Sequence, residues 1–325
     1  MTNINSNSIK SAHKRIKEYI LETPLITNIK INKKYGSQIY FKLENKQKTG
    51  SFKVRGAFNK LLQLKNEEKK KGIVAYSSGN HGQAVSYASK ILGIDSVVVM
   101  PNDAPKIKLK NTKKHGARLV LFNRFTEDRE KIAMNISKKS GRILIRPFND
   151  EDIIIGQGTA GLEIKTKLKE KKIIPDIYLC CCSGGGLIAG TSSYLKNFYP
   201  QLSVYSVEPQ YYDDMRMSIN RGKLVAINPK RKTICDALTV KKAGNLTFKI
   251  NKKILKKGLV VTDSEVKKAI RFLKNKIGII SEPGGAAPTA AFLSRSHDFY
   301  GKVVVVMVSG GNIDKTFFKK ILNYD

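Results

Sequence analysis

The stretch that decides the fold is Gln47-Lys48-Thr49-Gly50-Ser51-Phe52-Lys53-Val54-Arg55-Gly56-Ala57. It places Lys53 in a polar turn bracketed by glycines, between a strand-like run at 39–43 and a helical pattern that reaches Leu64. A lysine forms a Schiff base with a carbonyl when its ammonium is desolvated or crowded by other cations, because only the neutral amine attacks. In a chain with 60 lysines and arginines, a solvated surface lysine is the simpler interpretation. The choice therefore depends on the neighbouring motifs.

Three further turns follow along the chain, each at the end of a predicted strand. They are Ser77-Ser78-Gly79-Asn80-His81-Gly82, Ser183-Gly184-Gly185-Gly186-Leu187 and Ser309-Gly310-Gly311-Asn312. Turns at the carboxyl ends of parallel strands direct backbone N–H groups and a positive helix end toward an anion. Each turn alone is typical of an ordinary helix cap or connector. All four together on one frame indicate a shared binding site.

The chemistry of each turn suggests a different ligand group. Three successive glycines after Ser183 let the backbone wrap a phosphate without Cβ clashes, and the turn is neither a Walker loop nor a dinucleotide fingerprint. The turn at 77–82 can cradle a carboxylate, with Asn80 donating to a phenolic oxygen. Ser309 offers a hydroxyl where a ring nitrogen could lie.

Strand-like and helical patterns alternate along most of the chain, which predicts an α/β fold built from parallel βαβ units. The first series fills a small domain at 72–149. The second series, which includes a helix at 158–169 and a loop-rich part at 209–257, joins the N-terminal segment in a large domain made of residues 1–71 and 150–325.

Composition sets the remaining bounds. With 325 residues, 41% of them hydrophobic, the chain can bury a sizeable core. The net charge of +34 taken alone suggests a nucleic-acid partner. The lysines are spread along the chain without a folded nucleic-acid motif, so we expect no nucleic-acid partner and keep a basic nucleic-acid-binding protein as the non-enzyme alternative.

The location follows from two further features. No segment has the roughly 20 apolar residues that span a bilayer, and the N-terminus lacks the apolar core of a signal peptide. The four cysteines, Cys180 to Cys182 and Cys235, are interpreted as buried small hydrophobes and not as disulfides. We therefore expect no membrane partner and a cytoplasmic location.

These motifs resemble the fold type II pyridoxal-phosphate enzymes, which are similar in fold to the tryptophan synthase β chain. The resemblance is to the serine/threonine dehydratase and serine racemase group and runs from Ile9 to Ile313. Ser-Phe-Lys-x-Arg-Gly-Ala at 51–57 is similar to the dehydratase lysine motif. The related sulfhydrylases and cystathionine synthases usually carry Lys-Asp-Arg there, and Ser-Gly-Asn-Thr-Gly where this chain has Ser-Gly-Asn-His-Gly. That difference argues against replacement chemistry with a thiol.

The resemblance implies two domains with a mostly parallel twisted sheet in each and pyridoxal 5′-phosphate in the cleft between them. It implies that Lys53 holds the cofactor as a Schiff base, that Asn80 bonds the 3′ oxygen and that Ser309 bonds the pyridine nitrogen. The implied cofactor contacts are Phe52, Lys53, Asn80, Ser183, Gly184, Gly185, Gly186, Leu187, Glu282 and Ser309. The implied substrate contacts are Ser77, Ser78, Asn80 and His81.

The resemblance further implies a threonine/serine ammonia-lyase that eliminates water from a β-hydroxy amino acid and gives a 2-oxo acid and ammonia. Lys53 would take the Cα proton as general base. Ser78 matches the position that faces Cα from the opposite side in the racemases, so a serine or aspartate racemase stays open, as does a 3-hydroxyaspartate dehydratase. Asp236-Ala237 replaces the usual Asp-Gly, and the flanks of Glu282 differ from the commonest versions, which leaves the exact substrate open.

The segment from 208 to 214 resembles the divalent-cation loop of this family. The implied ligands are Glu208, Asp214 and the backbone carbonyl of Tyr212, an oxygen set that suits Mg²⁺ or Ca²⁺ in a structural role. The alternative is an acidic surface loop. The family also suggests a homodimer with a small amino-acid substrate.

Overall fold

Two β-sheets, both flanked by helices, form the framework of the computed structural model, which describes residues 3–77 and 79–323. The strands are β1 (Leu25–Ile26), β2 (Gln38–Leu43), β3 (Ile73–Tyr76), β4 (Ser96–Pro101), β5 (Arg118–Phe122), β6 (Ile143–Ile145), β7 (Ile177–Cys181), β8 (Ser203–Pro209), β9 (Leu255–Val261) and β10 (Val303–Val308). The first seven helices are α1 (Ser6–Ile16), α2 (Ile29–Tyr35), α3 (Lys53–Leu61), α4 (Asn66–Lys71), α5 (Asn80–Ile91), α6 (Lys106–Lys114) and α7 (Arg129–Ser140). The remaining helices are α8 (Glu151–Glu170), α9 (Gly186–Phe198), α10 (Asp214–Arg221), α11 (Asn245–Ile254), α12 (Asp263–Phe272), α13 (Pro283–Ser294) and α14 (Lys315–Asn323).

The larger sheet has the strand order β1-β2-β10-β7-β8-β9, and the smaller has β5-β4-β3-β6. All neighbouring strands pair in parallel except β1 and β2, which are antiparallel. The α/β prediction is confirmed. The smaller sheet falls within residues 72–149, the range predicted for the small domain, and we keep that range and the large domain of 1–71 and 150–325 as proposed boundaries.

The central strands are almost uniformly apolar because helices cover both faces of each sheet. β10 reads Val-Val-Val-Val-Met-Val, and all but its first residue are buried. β7 is buried throughout. The cysteines in and after β7, together with Cys235, are buried and free, as predicted. None of the helices that the structure describes is both long and apolar enough to cross a membrane.

The prediction of a loop-rich segment at 209–257 is wrong in part. The structure places α10, α11 and the start of β9 there. Phe248 and Ile250 of α11 are buried, but the lysines between and after them hide the helical spacing of the apolar residues. The helix predicted at 158–169 begins at Glu151, because the Asp150 carboxylate accepts the backbone N–H of Ile153 and caps it.

A buried ionic cluster fixes the helix that begins at Lys53. The Arg55 guanidinium donates to Glu44 (Nε–Oε2 2.7 Å) and to Glu163 of α8 (Nη1–Oε1 2.6 Å), and Lys42 of β2 also pairs with Glu163. All four side chains are buried, and their charges balance. The cluster therefore links α3 to β2 and α8 through Arg55, two residues after Lys53.

Candidate active site

The four turns identified in the sequence meet in one cleft, which occupies about 760 Å³ including its solvent-open mouth. The predicted residues that line it are Phe52, Lys53, Ser77, Asn80, His81, Ser183, Gly184, Gly185, Gly186, Leu187, Glu282 and Ser309. Ser78 lies outside the described residues. The structure thus brings the predicted residues together, while the role of each remains a prediction.

Lys53 is the first residue of α3, and its side chain enters the cleft half-buried. Its Nζ donates to the backbone carbonyl of Pro147 at 2.7 Å and lies 5.1 Å from the centroid of the Phe52 ring. Burial lowers the pKa of Lys53 to about 8, and the positive charge of Arg129 acts in the same direction. An amine with this pKa has a substantial neutral fraction near pH 7, which is the form that attacks a carbonyl.

The glycine turn after β7 is shaped by close contacts that exclude side chains. A Cβ at Gly184 would come within 2.2 Å of the Phe148 ring, and Gly185 has φ +88°. Thr247 donates to the carbonyl of Gly184 (Oγ1–O 2.6 Å) and Asn251 to that of Gly185 (Nδ2–O 3.2 Å), so these carbonyls are occupied. The backbone N–H groups at the start of α9 remain for an anion. This cradle fits the phosphate of the implied cofactor.

Two side chains of the turn after β3, those of Ser77 and His81, form hydrogen bonds with the protein backbone. Ser77 Oγ accepts the N–H groups of Gly79 (2.9 Å) and Gly82 (2.8 Å), so it caps α5. His81 Nε2 lies 3.2 Å from the carbonyl of Ile145, and its Nδ1 has no partner among the described residues. Burial, and then the charge on Lys53, lowers the pKa of His81 to about 3. His81 is therefore neutral at physiological pH.

Asn80 and Glu282, which both line the cleft, are joined by a hydrogen bond. Asn80 donates to Glu282 Oε1 and accepts from Asn312 (Nδ2–Oδ1 2.9 Å). The other oxygen of Glu282 accepts from Lys108 Nζ at 2.8 Å. Lys108 was missed by the sequence analysis, because nothing distinguishes it from the other lysines of α6 before the fold is known.

A second missed residue is Arg129, which opens α7 and lines the cleft. Its guanidinium lies 5.7 Å from the centroid of the Tyr76 ring, and it forms no ion pair or side-chain hydrogen bond with any described residue, although the charges of Glu130 and Asp128 attract it from a longer distance. Burial lowers the pKa of Arg129, although the side chain stays charged at neutral pH. Elsewhere in the cleft, Ser309 Oγ lies 3.2 Å from Cys181 Sγ. Cys181 also lines the cleft.

The predicted metal ligands lie outside this cleft. Glu208 accepts the backbone N–H groups of Met215 (2.9 Å) and Arg216 (2.8 Å), and the Asp214 carboxylate is buried without a hydrogen-bond partner among the described residues. Tyr212 supplies only a backbone carbonyl to the predicted set. No group of three or more His, Cys, Asp or Glu side chains in the described part of the chain could hold a metal ion. The metal prediction is therefore not supported here.

Comparison with known proteins decides the family. Residues 16–310 match the family of pyridoxal-phosphate-dependent enzymes. The chain belongs to this family.

Three relatives represent the range of activities within it. An L-threonine ammonia-lyase of Thermotoga maritima is 38% identical over 98% of this chain and 78% of its own length. An L-threo-3-hydroxyaspartate ammonia-lyase of Saccharomyces cerevisiae is 36% identical over 97% of this chain and 95% of its own. The crystal structure of a serine racemase from Dictyostelium discoideum is 39% identical, with a TM-score of 0.86 over 96% of this chain and 99% of its own. The chain is thus similar to ammonia-lyases and racemases of the pyridoxal-phosphate-dependent family.

Proposed function

We propose that this pyridoxal-phosphate-dependent enzyme is an ammonia-lyase that converts L-threonine or L-serine to a 2-oxo acid and ammonia. The observation that carries the proposal is the placement of Lys53, whose pKa is lowered to about 8, in the same cleft as the triple-glycine start of α9. An amine that captures a carbonyl and a cradle for a phosphate are the two attachments that pyridoxal phosphate needs. The similarity to ammonia-lyases supplies the reaction class.

The bound cofactor supplies the electron sink for the carbanion chemistry. In the proposed reaction the Lys53 amine, once displaced by the substrate amine, takes the proton from Cα. The Cβ–O bond would then break, and the hydroxyl would take up the proton that Lys53 removed and leave as water. The released enamine tautomerises and is hydrolysed, which gives the 2-oxo acid and ammonia. The N–H groups at the start of α5 that Ser77 leaves free would hold the substrate carboxylate without adding another charge, while the neutral His81 keeps its Nε2–H on the Ile145 carbonyl.

The side chain that would face the ring nitrogen of the bound cofactor bears on the outcome. A hydroxyl such as that of Ser309 does not enforce protonation of a pyridine nitrogen, whereas a carboxylate does. A long-lived carbanion is then less favoured, and prompt loss of the β-hydroxyl is more favoured. Ser309 thus supports elimination as the main reaction, with racemisation as the second activity to test by following substrate chirality alongside 2-oxo acid release.

The direct test compares Lys53→Ala with Lys48→Ala, an exposed lysine of the same turn. We expect Lys53→Ala to lose both the visible cofactor band and 2-oxo acid release from L-threonine and L-serine. Lys48→Ala should retain both. Turnover at the wild-type rate in Lys53→Ala would contradict the proposal.

Arg129 gives a specific reason to consider L-threo-3-hydroxyaspartate as the preferred substrate. Its guanidinium lines the cleft without an anionic partner among the described residues. A charged group in that position has lost hydration without gaining an ion pair, so it favours a ligand that brings a carboxylate. The extra carboxylate of a β-hydroxy dicarboxylic amino acid would supply one.

Arg129→Met tests this preference. We expect kcat/KM for L-threo-3-hydroxyaspartate to fall by roughly 100-fold or more, the cost of losing a buried charge-assisted pair. The value for L-serine should change by less than about 3-fold. An equal loss for both substrates would mean that Arg129 holds the α-carboxylate that they share, and no loss for either substrate would mean that Arg129 contacts neither; both results would remove the dicarboxylic preference.

A structural divalent cation at Glu208 and Asp214 is part of the proposal and rests on two buried carboxylates. Burial, and then the nearby Asp214, raises the pKa of Glu208 well above its usual range, and burial raises the pKa of Asp214 to about 7. Mg²⁺ or Ca²⁺ would offset this repulsion, with the Tyr212 carbonyl as a third ligand. Removal of the ion with a chelator should lower the melting temperature, and adding Mg²⁺ or Ca²⁺ should restore it; an unchanged melting temperature would contradict the metal.

We further propose a cytoplasmic homodimer without a nucleic-acid or membrane partner. The free, buried cysteines support a reducing compartment. The dimer rests on the family resemblance and is tested by sedimentation of the purified protein.

A further inference from the structure

Lys108 connects the two sides of the cleft. It lies on α6, beside the smaller sheet, and its side chain is completely buried. Its Nζ reaches Asp236 Oδ2 at 2.7 Å and Glu282 Oε2 at 2.8 Å, and both carboxylates belong to the part of the chain built around the larger sheet. Burial opposes the charge on Lys108, but Glu282 and then Asp236 outweigh it and raise the pKa of Lys108. The lysine is therefore charged and pairs with two acids.

The aliphatic part of Lys108 also packs against the turn that carries Asn80. A Cβ at Gly79, which has φ +159°, would come within 2.2 Å of Lys108 Cδ. The chain can approach this closely only because the residue is glycine. Lys108 thus touches the turn with its stem and Glu282 with its ammonium.

Glu282, which Lys108 holds in place through Oε2, in turn orients the amide of Asn80 through Oε1. Asn80 Nδ2 donates to Glu282 Oε1, while its Oδ1 accepts from Asn312, which also donates to the carbonyl of Thr49 at 2.9 Å. The amide can satisfy both partners only with its NH₂ group toward Glu282. The NH₂ group has a second hydrogen, which no described protein acceptor takes up, and Asn80 lines the cleft.

We propose that Lys108 is a positioning residue: by reaching from α6 to both Glu282 and Asp236, it holds the Asn80 amide in the orientation that presents an N–H group to the cofactor. This inference rests on the proposed pyridoxal-phosphate chemistry. It differs from a merely structural role because it requires a change in the cofactor's own titration when the bridge is removed.

The test compares the holoenzymes of Lys108→Met and Lys110→Met, the latter an exposed lysine of the same helix. The first readout is the pH at which the visible cofactor band changes. We expect it to shift by about one pH unit in Lys108→Met, the effect of losing one hydrogen bond to a charged oxygen. We also expect kcat to fall by about 10-fold to 100-fold, the usual effect of removing a residue that orients a ligand-contacting side chain. Lys110→Met should match the wild type in both.

A second variant covers the case in which Lys108→Met does not fold. Glu282→Gln keeps the shape of the side chain and removes the charge that Lys108 recognises, so the same spectral shift is expected. Lys108→Arg restores a cation and should recover part of the kcat. A wild-type titration in both Lys108→Met and Glu282→Gln, or in whichever of the two folds, would overturn the proposal.

The two hypotheses fail in different ways. If the wild type binds the cofactor but releases no 2-oxo acid, the proposed ammonia-lyase activity fails, while the spectral comparison of Lys108→Met with Lys110→Met still decides the role of Lys108. If 2-oxo acid is released and the titration is unchanged in the variants, only the positioning role fails.

Discussion

At the scale of single residues, the surroundings of one amine set the pH range in which this protein can capture a carbonyl. The Lys53 amine is partly shielded from water, donates to the Pro147 carbonyl and feels the charge of Arg129, and burial is the main reason why its pKa is lowered to about 8. At pH 7 about one Lys53 side chain in ten is then neutral, against roughly one in 3,000 for an ordinary lysine. Arg55, two residues later in the same motif, serves a different purpose, because its guanidinium is completely buried between two glutamates.

The lowered pKa predicts how cofactor capture depends on pH. Because the neutral amine is the reactive form, the rate at which the cofactor-free protein binds pyridoxal phosphate should rise with pH and level off above about 8. Stopped-flow absorbance over pH 6 to 10 measures it, with the amine of free lysine in the same buffers as the control. A rate that keeps rising through pH 10 would mean that Lys53 is an ordinary, solvated lysine.

At the scale of elements, the site depends on where helices begin. α3, α5 and α9 start at Lys53, Asn80 and Gly186, each directly after a strand or a short turn, so their N-termini meet in the cleft. The buried cluster around Arg55 holds the first of these helices against α8. A buried ion pair contributes little over an apolar replacement, but removal of one partner leaves an uncompensated charge.

Arg55→Met tests that role. We expect a loss of about 3 to 5 kcal/mol in the free energy of unfolding, because Glu44 and Glu163 would keep one cation, Lys42, between them. Urea denaturation of the cofactor-free protein measures it. Lys167→Met, which removes solvent-accessible pairs with Glu22 and Glu170, is the matched control and should unfold close to the wild type. Equal stability of the two variants would contradict the account of the cluster.

At the scale of the whole molecule, sequence patterns predicted the strands and turns, which depend on contiguous residues, and missed contacts between residues far apart in the chain. The α/β class, the ends of β7 and β10 and the four turns follow from apolar runs and glycine positions, which are properties of contiguous stretches. α11 was missed because lysines obscure its periodicity, and α10 was missed because it is short and mostly polar.

Lys108 and Arg129 were missed because their roles depend on residues distant in the sequence. Lys108 meets Asp236 across 128 residues of sequence and Glu282 across 174. Arg129 is notable for having no ionic partner among the described residues. Such features exist only once the chain has folded, so the composition of α6 and α7 could not reveal them.

The central claim is that Lys53 is the residue that carries the cofactor. Reduction of the holoenzyme with borohydride, followed by peptide mass spectrometry, tests it most directly because reduction fixes a Schiff base as a stable amine. The account predicts one cofactor mass on the peptide that contains Lys53, and none there when substrate is added before reduction. A cofactor mass on a different lysine, or none on any peptide of a protein that has the visible band, would contradict it.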